Sequence, residues 1–284
     1  MLLQPVIEIG RAAADRIEAA GHAGIIVEEK RPGHPVTAAD RETDRFLRER
    51  LMLLLSCGWL SEETTDSRDR LSQRRVWVVD PLDGTKEFAA GVPEYAVSVA
   101  LVEDHHPVLG VVVHAASRAA YWAVRGSGAY AEGRRVHVTD GDRLLASRTE
   151  LARGEFDAFE RDWRIEPSGS IALKLARVAA GEAAATLSRG PKAEWDVCAG
   201  SLIVEEAAGI VTSRDGAPLL FNTESARVDG IVAGAASAHR RTLDTVRRLQ
   251  RMPGAGREQL DRSLVEDEER RRLQSQHLFR GHQR

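Results

Sequence analysis

The sequence predicts a layered α/β or α+β architecture, because helical and strand patterns interleave along most of its length. Three observations carry that expectation. Apolar residues recur at helical spacing near the start of the chain and again between residues 38 and 55. Runs rich in β-branched and aromatic residues, separated by Gly, Pro or charge, fill the middle. Beyond Ser168 helix and strand patterns alternate once more. With 284 residues, 43% of them apolar and 29% charged, the chain has material for one large domain or two small ones.

A first helix is expected from about Gln4 to Ala20. Glu8 and Arg11 fall inside what would have to be the apolar stretch of a signal peptide, so an amphipathic helix fits better. HAGIIVEEKRPGHPVT then reads as a hairpin or mobile loop on its Gly and Pro content. The second helix, Ala38 to Leu55, carries Phe46, Leu47, Leu51 and Leu54 at helical spacing. VWVVD is a short buried strand ending at Asp80, and YAVSVALVE, VLGVVVH and AAYWAV form an antiparallel meander with His105-His106 solvated in a turn. SIALKLARVAAGEAAATL reads as helix then strand, DVCAGSLIVEEAAG as helix, IVT and GIVAGA as strands, and HRRTLDTVRRLQ as a closing helix. From Met252 the text is poor in apolar residues and rich in charge, the composition of a loose tail or solvated helix.

Composition narrows the partners. A formal net charge of −3 argues against a general nucleic-acid binder, which carries a basic excess. No uncharged run approaches the roughly 18 residues that span a bilayer. Cys57 and Cys198 cannot build a disulfide framework, which fits a reducing, cytoplasmic setting.

The most informative segment is Asp80-Pro81-Leu82-Asp83-Gly84-Thr85-Lys86-Glu87-Phe88. Two aspartates follow directly on a buried strand, and strand ends are where α/β folds place ligands. Carboxylates suit Mg²⁺, which takes one or two of them together with phosphate oxygens and water. A helix starting near Thr85 would turn the N–H groups of Gly84 and Thr85 toward an anion. D-P-x-D-G is also an ordinary turn sequence. Three further segments are equally double-edged. Ser61-Glu62-Glu63-Thr64 is either a metal-binding pair or a solvated loop. Thr37 and Asp40 in PVTAAD make a capping box. Asp196 in Glu194-Trp195-Asp196 would serve as a helix cap.

Together PVTAAD, LSEE, VDPLDGTKEF and WDVCAGSLIVEEAAG stand in the order, and at roughly the spacing, of a known pattern. Over about residues 1 to 250 the chain resembles the lithium-sensitive, Mg²⁺-dependent phosphatase superfamily of inositol monophosphatase, fructose-1,6-bisphosphatase and the 3′(2′),5′-bisphosphate nucleotidases. The resemblance implies an α-β-α-β-α sandwich of the sugar-phosphatase type in residues 1–251. Two subdomains, about 1–140 and 141–251, would share a cleft, with 252–284 as a tail outside it. It implies that Glu62, Asp80 and the Leu82 carbonyl hold one Mg²⁺, and that Asp80, Asp83 and Asp196 hold a second. Glu63 would stand behind Glu62. Asp40 and Thr85 would orient and deprotonate the attacking water beside a third, weaker metal, so that Asp40, Thr85 and Glu62 form the catalytic set. No Cys or His nucleophile is required, and the histidines show no metal-ligand spacing.

The spelling DPLDGTKEF, the serine of LSEE and the segment SRGPKAEWD resemble the nucleotidase branch. That branch implies hydrolysis of the 3′-phosphate of adenosine 3′,5′-bisphosphate, and of the phosphosulfate used in sulfate assimilation. Arg189 and Lys192 would recognise the second phosphate through charge-assisted hydrogen bonds, or are solvated loop charges. Gly169 and Ser170 would line the sugar, or simply cap a helix. The substrate side thus comprises Leu82, Asp83, Gly84, Thr85, Gly169, Ser170, Arg189, Lys192 and Asp196. Inositol monophosphatase is the alternative enzyme, and a non-catalytic phosphate- or metal-binding regulator the alternative of another class. Both monomers and homodimers occur among such relatives.

Overall fold

The computed structural model describes residues 2–23, 27–31 and 34–251. The expected charged tail, 252–284, lies outside the described residues. The chain divides into two compact units, Met1–Leu243 and Asp244–Arg284. In the second unit the described residues are helical as far as Arg251.

Helix α1 (Leu3–Ala23) buries Val6, Ala13, Ala14 and Ile17 along one stripe. The expected hairpin follows, β1 (Val27–Arg31) pairing antiparallel with β2 (His34–Thr37). Helix α2 (Ala38–Leu54) opens on a capping box between Thr37 and Asp40 and buries Leu47 and Leu51.

Strand β3 (Gly58–Ser61) runs parallel to β4 (Arg75–Asp83), with a short 3₁₀ turn at Arg68–Ser72 between them. After the one-turn helix α3 (Thr85–Ala89) the meander appears as β5 (Ala96–Glu103), β6 (His106–His114) and β7 (Ala120–Val124), continued by β8 (Ala129–Ala131) and β9 (Arg134–Val136). These strands make a seven-stranded sheet in the order β3-β4-β5-β6-β7-β8-β9. His105 lies in the β5–β6 turn and is exposed as expected, but its Nδ1 also stands 2.9 Å from the Phe221 carbonyl oxygen.

The second half comprises β10 (Arg143–Ala146), α4 (Arg148–Ala152), β11 (Arg164–Pro167), α5 (Ile171–Ala179), β12 (Ala185–Ser188), β13 (Lys192–Ala193), α6 (Glu194–Glu206), β14 (Ile210–Thr212), β15 (Arg227–Val228), β16 (Ile231–Gly234) and α7 (Ala236–Arg251). A five-stranded mixed sheet runs β11-β10-β12-β16-β14.

The layering follows from strands that are apolar on both faces. Val97, Val99 and Leu101 of β5 join the core under α1 and α2, whereas Ala96, Ala100 and Val102 join the core under α5 and α6. The residues on the second side are small, and α6 comes close there: a Cβ at Gly110 would stand 2.8 Å from the Ala199 carbonyl oxygen. The five-stranded sheet repeats the alternation. Leu145, Ile231 and Ala233 face the α5–α6 core, and Leu144, Leu187 and Val232 are buried on the other side. There His239 meets the Thr212 hydroxyl at 2.9 Å and Arg241 lies over Trp163. The result is the expected α-β-α-β-α sandwich.

One boundary differs from expectation. The strand expected to stop at Asp80 runs on to Asp83, so DPLD belongs to the sheet rather than to a turn beyond it.

Candidate active site

The acids gather by strand register. Ser61 of β3 pairs with Val79 of β4, so the next residues in parallel register, Glu62 and Asp80, come abreast. On the other side of β4, Asp80 is opposite Ser98, whose hydroxyl donates to the Trp195 carbonyl oxygen at 3.1 Å. That bond fixes the first turn of α6 at the sheet and delivers Asp196. Carboxylate oxygens of Glu62, Asp80 and Asp196 all lie within 4.8 Å of one another.

Asp83 reaches the same side through a bulge. In a regular strand residues 80 and 83 point to opposite faces. Here Asp80 is opposite Ser98 and Asp83 opposite Ala96, so three steps on β4 match two on β5. The extra residue lies at Pro81-Leu82, where a missing N–H is tolerated. Gly84 then turns the chain with φ +101°, and a Cβ there would come within 2.9 Å of the Glu94 carbonyl oxygen. Asp83 Oδ2 accepts from the Ser170 hydroxyl at 2.6 Å and the Ala172 N–H at 2.7 Å. Ser170 itself holds φ +50°, a strained angle for a non-glycine residue, while its hydroxyl oxygen also caps α5 by accepting from Leu173 N–H.

Asp40 and Thr85 meet across the chain. The Thr85 hydroxyl lies 3.0 Å from Asp40 Oδ1 and 3.1 Å from the Leu82 carbonyl oxygen, and its single proton serves one acceptor at a time. Asp40 Oδ2 accepts from the Thr37 N–H at 2.7 Å and the Thr37 hydroxyl at 2.6 Å. The capping reading of Asp40 and its placement beside Thr85 therefore hold together, one oxygen for each.

Burial, then the charges of Glu62, Asp83 and Asp196, push the Asp80 carboxyl well above its ordinary range, with the Leu82 N–H a smaller offset. Burial together with Asp83 and Glu62 does the same to Asp196, against the pull of Lys192. Crowded negative charge from carboxylate oxygens is what a hard divalent cation neutralises. The residues fit Mg²⁺. Among the described residues this is the group of acids, histidines or cysteines close enough to hold a metal.

A second cluster flanks the acids. Lys192 Nζ is 3.3 Å from Glu150 Oε1, which also accepts from the Ser188 hydroxyl at 2.5 Å. Burial draws the Lys192 pKa down, but Glu150 and Asp196 outweigh it and the net shift is upward. Lys174, 3% exposed, lies within the fields of Glu150, Lys192, Asp83 and Glu87, and burial lowers its pKa to about 8. Arg189 is also buried, its Nε 4.0 Å from Glu155. Gly169 donates its N–H to Glu94 Oε2 at 2.6 Å, and Arg148 bonds to the same oxygen.

The expected residues therefore sort into groups. Glu62, Asp80 and Asp196 cluster directly with Asp83 beside them, and Leu82, Gly84 and Thr85 belong to the same bulged turn. Asp40 joins through Thr85, Ser170 through Asp83, and Gly169 as its neighbour. Lys192 feels Asp196, whereas Arg189 is paired with Glu155 instead of the acid cluster. Sequence reasoning passed over Glu150 and Lys174. Lys174 carried a signal, a cation inside the apolar run of α5, where lysine is rarely buried without a purpose.

The chain is similar to known proteins over most of its length. The model of the inositol monophosphatase family matches residues 2–251. The chain is 31% identical over 242 residues to the 3′(2′),5′-bisphosphate nucleotidase CysQ of Aggregatibacter actinomycetemcomitans, covering 80% of this chain and 90% of that protein. It is 34% identical over 236 residues to an inositol-1-monophosphatase of Mesorhizobium japonicum, covering 78% of this chain and 86% of that protein. Among solved structures, the extragenic suppressor protein suhB of Bartonella henselae superposes with a TM-score of 0.77 at 26% identity, over 86% of this chain and 98% of that one.

Proposed function

The chain belongs to the inositol monophosphatase family, and from that premise we propose a Mg²⁺-dependent phosphomonoesterase whose preferred substrate is adenosine 3′,5′-bisphosphate, cleaved at the 3′-phosphate. The family is one of Mg²⁺-dependent phosphatases, so phosphoric monoester hydrolysis is the activity, and the proposal concerns the substrate. The observation that carries it is the pairing of the two clusters. Lys192 lies in the fields of Asp83 and Asp196, and Lys174 in that of Asp83, so a second anionic group of a substrate held at the acids would meet buried positive charge. Arg189, paired with Glu155, is not part of that charge.

Glu62, Asp80, Asp83, Asp196 and the Leu82 carbonyl are the groups that would hold magnesium, two ions and a weaker third in this reading. Bound there, the metal supplies charge against the phosphate oxygens and acidifies a bound water. The protein's own contribution begins at Thr85. Its hydroxyl oxygen accepts from the attacking water while its proton goes to Asp40 Oδ1, so Asp40 is the base. Thr37, bonded to Asp40 Oδ2, holds that carboxylate in place. Gly169, Ser170 and the 82–85 turn border the space where the sugar and phosphate would lie.

The second reading is inositol-1-monophosphatase, favoured by the similarity to the Mesorhizobium japonicum enzyme. A non-catalytic regulator fits poorly, because every acid of the site is in place. Ranking adenosine 3′,5′-bisphosphate, adenosine 3′-monophosphate and inositol 1-phosphate by kcat/KM with Mg²⁺ tests all three. The bisphosphate should lead. A lead for inositol 1-phosphate moves the chain to the second reading, and no phosphate release from any ester points to the regulator.

A further inference from the structure

Asp44 lies one helical turn beyond Asp40 on α2, so both carboxylates project from one side of the helix. It is nearly buried, at 7% exposure. Asp44 Oδ1 accepts from the Ser61 hydroxyl at 2.5 Å, and Oδ2 accepts from the Thr64 hydroxyl at 2.7 Å. The Trp59 indole N–H reaches the Thr64 oxygen in turn, at 3.3 Å. Ser61 and Thr64 bracket Glu62 and Glu63, so the two bonds grip the turn on either side of the cluster acid.

A glutamate at the end of a short strand has three side-chain torsions to fix, and β3 ends at Ser61. Strand pairing with β4 sets the register of Glu62 but not the path of the chain after it. The Asp44 bonds supply that path from a different element. The same helix thereby sets two parts of the site, Asp40 beside Thr85 and Glu62 beside Asp80.

The geometry points to Asp44 as a positioning residue for Glu62, one that tunes Mg²⁺ affinity through Ser61 and Thr64 without touching metal or substrate. This rests on the reading of Glu62 as a metal ligand. Partners that orient a metal ligand from behind typically contribute about 10–100-fold to affinity. Asparagine at position 44 can accept from one hydroxyl and donate to the other, so it preserves the grip while removing the charge.

The test is calorimetric titration of Mg²⁺ into metal-free protein, with the thermal midpoint in EDTA recorded alongside. Asp44→Ala should weaken Mg²⁺ binding by about 10–100-fold, and the Ser61→Ala/Thr64→Val double variant should match it. Asp44→Asn should stay close to wild type. If Asp44→Ala fails to fold, the double variant and Asp44→Asn carry the comparison. Glu62→Gln separates this inference from the reading beneath it. Weakened binding in Glu62→Gln with wild-type binding in Asp44→Ala, or in the double variant, overturns the positioning role alone. Wild-type binding in Glu62→Gln overturns the metal assignment as well. Equal losses in Asp44→Asn and Asp44→Ala would mean that charge, not position, is what Asp44 provides, and a lowered thermal midpoint with unchanged Mg²⁺ affinity would make its role purely structural.

Discussion

The Thr85 hydroxyl stands 3.0 Å from Asp40 Oδ1, joining the first turn of α3 to the first turn of α2 across 45 residues of chain. Thr37 occupies the other Asp40 oxygen, which leaves the carboxylate little freedom to turn away. In the proposed mechanism a hydroxyl and a carboxylate so fixed would act as one unit on a water's proton. Thr85→Ala and Asp40→Asn should each lower kcat by about 10²–10⁴-fold, the scale of general-base catalysis. The double variant should be little worse than either single one. Effects that multiply in steady-state kinetics would dissolve the pair.

Asp80 is surrounded by Glu62, Asp83 and Asp196, the arrangement expected of an acid shared between cations. Asp80→Asn should therefore cost at least about 10³-fold in kcat/KM, as for loss of a principal electrostatic group. A variant retaining a tenth of wild-type turnover would rule out a shared role.

The same crowding sets a pH dependence for the metal-free protein. The carboxyls of Asp80 and Asp196 are raised on folding, so the folded state binds more protons than the unfolded one between the ordinary and the raised values. Their contribution to stability is complete below the ordinary carboxylate range and is lost as pH rises through the raised values. In EDTA the thermal midpoint should gain from these two groups on mild acidification from neutrality. Asp80→Asn should flatten that gain, and Mg²⁺ should raise the midpoint most at neutral pH. A pH profile unchanged by Asp80→Asn would contradict the assignment.

Burial lowers the Lys174 pKa to about 8, so its charge should be lost progressively as pH rises through that value. A charge-assisted hydrogen bond is worth roughly 1.5–3 kcal/mol, or about ten- to over a hundredfold at 1.36 kcal/mol per decade. The ratio of kcat/KM for adenosine 3′,5′-bisphosphate over adenosine 3′-monophosphate should fall as pH rises through about 8. Taking the ratio removes the pH dependence of water activation common to both esters. A ratio that stays flat through that range takes Lys174 out of substrate recognition.

Gly110 tests the packing that delivers Asp196. An alanine there would push its methyl to 2.8 Å from the Ala199 carbonyl oxygen, and backbone cannot yield as a side-chain tip can. Gly110→Ala should cost about 1–3 kcal/mol of stability, as overpacking does. It should also weaken Mg²⁺ binding, because α6 carries Asp196. Denaturant unfolding and calorimetry together check both effects, and an unchanged midpoint would mean that α6 can shift freely.

Much of this was written in the sequence. The long helices, the β5–β7 meander and the α5–β12 succession follow from local periodicity, which nearest neighbours along the chain decide. The acids could be named as well, because DPLD, SEE and WD keep chemistry-bearing residues in short segments. The stretch from Arg143 to Pro167 was not legible: β10, α4 and β11 are only four or five residues long and stand on partners far along the chain. Tertiary structure alone decided that β4 bulges at Pro81-Leu82, turning Asp80 and Asp83 to one face, since a bulge is defined against the paired strand. It alone brought Glu150 to Lys192 and paired Arg189 with Glu155, contacts 42 and 34 positions apart in the chain. Sequence determines which groups are available and which local conformation carries them. Which of them meet depends on register and layer packing, and these are fixed only when distant segments bury their apolar faces against one another.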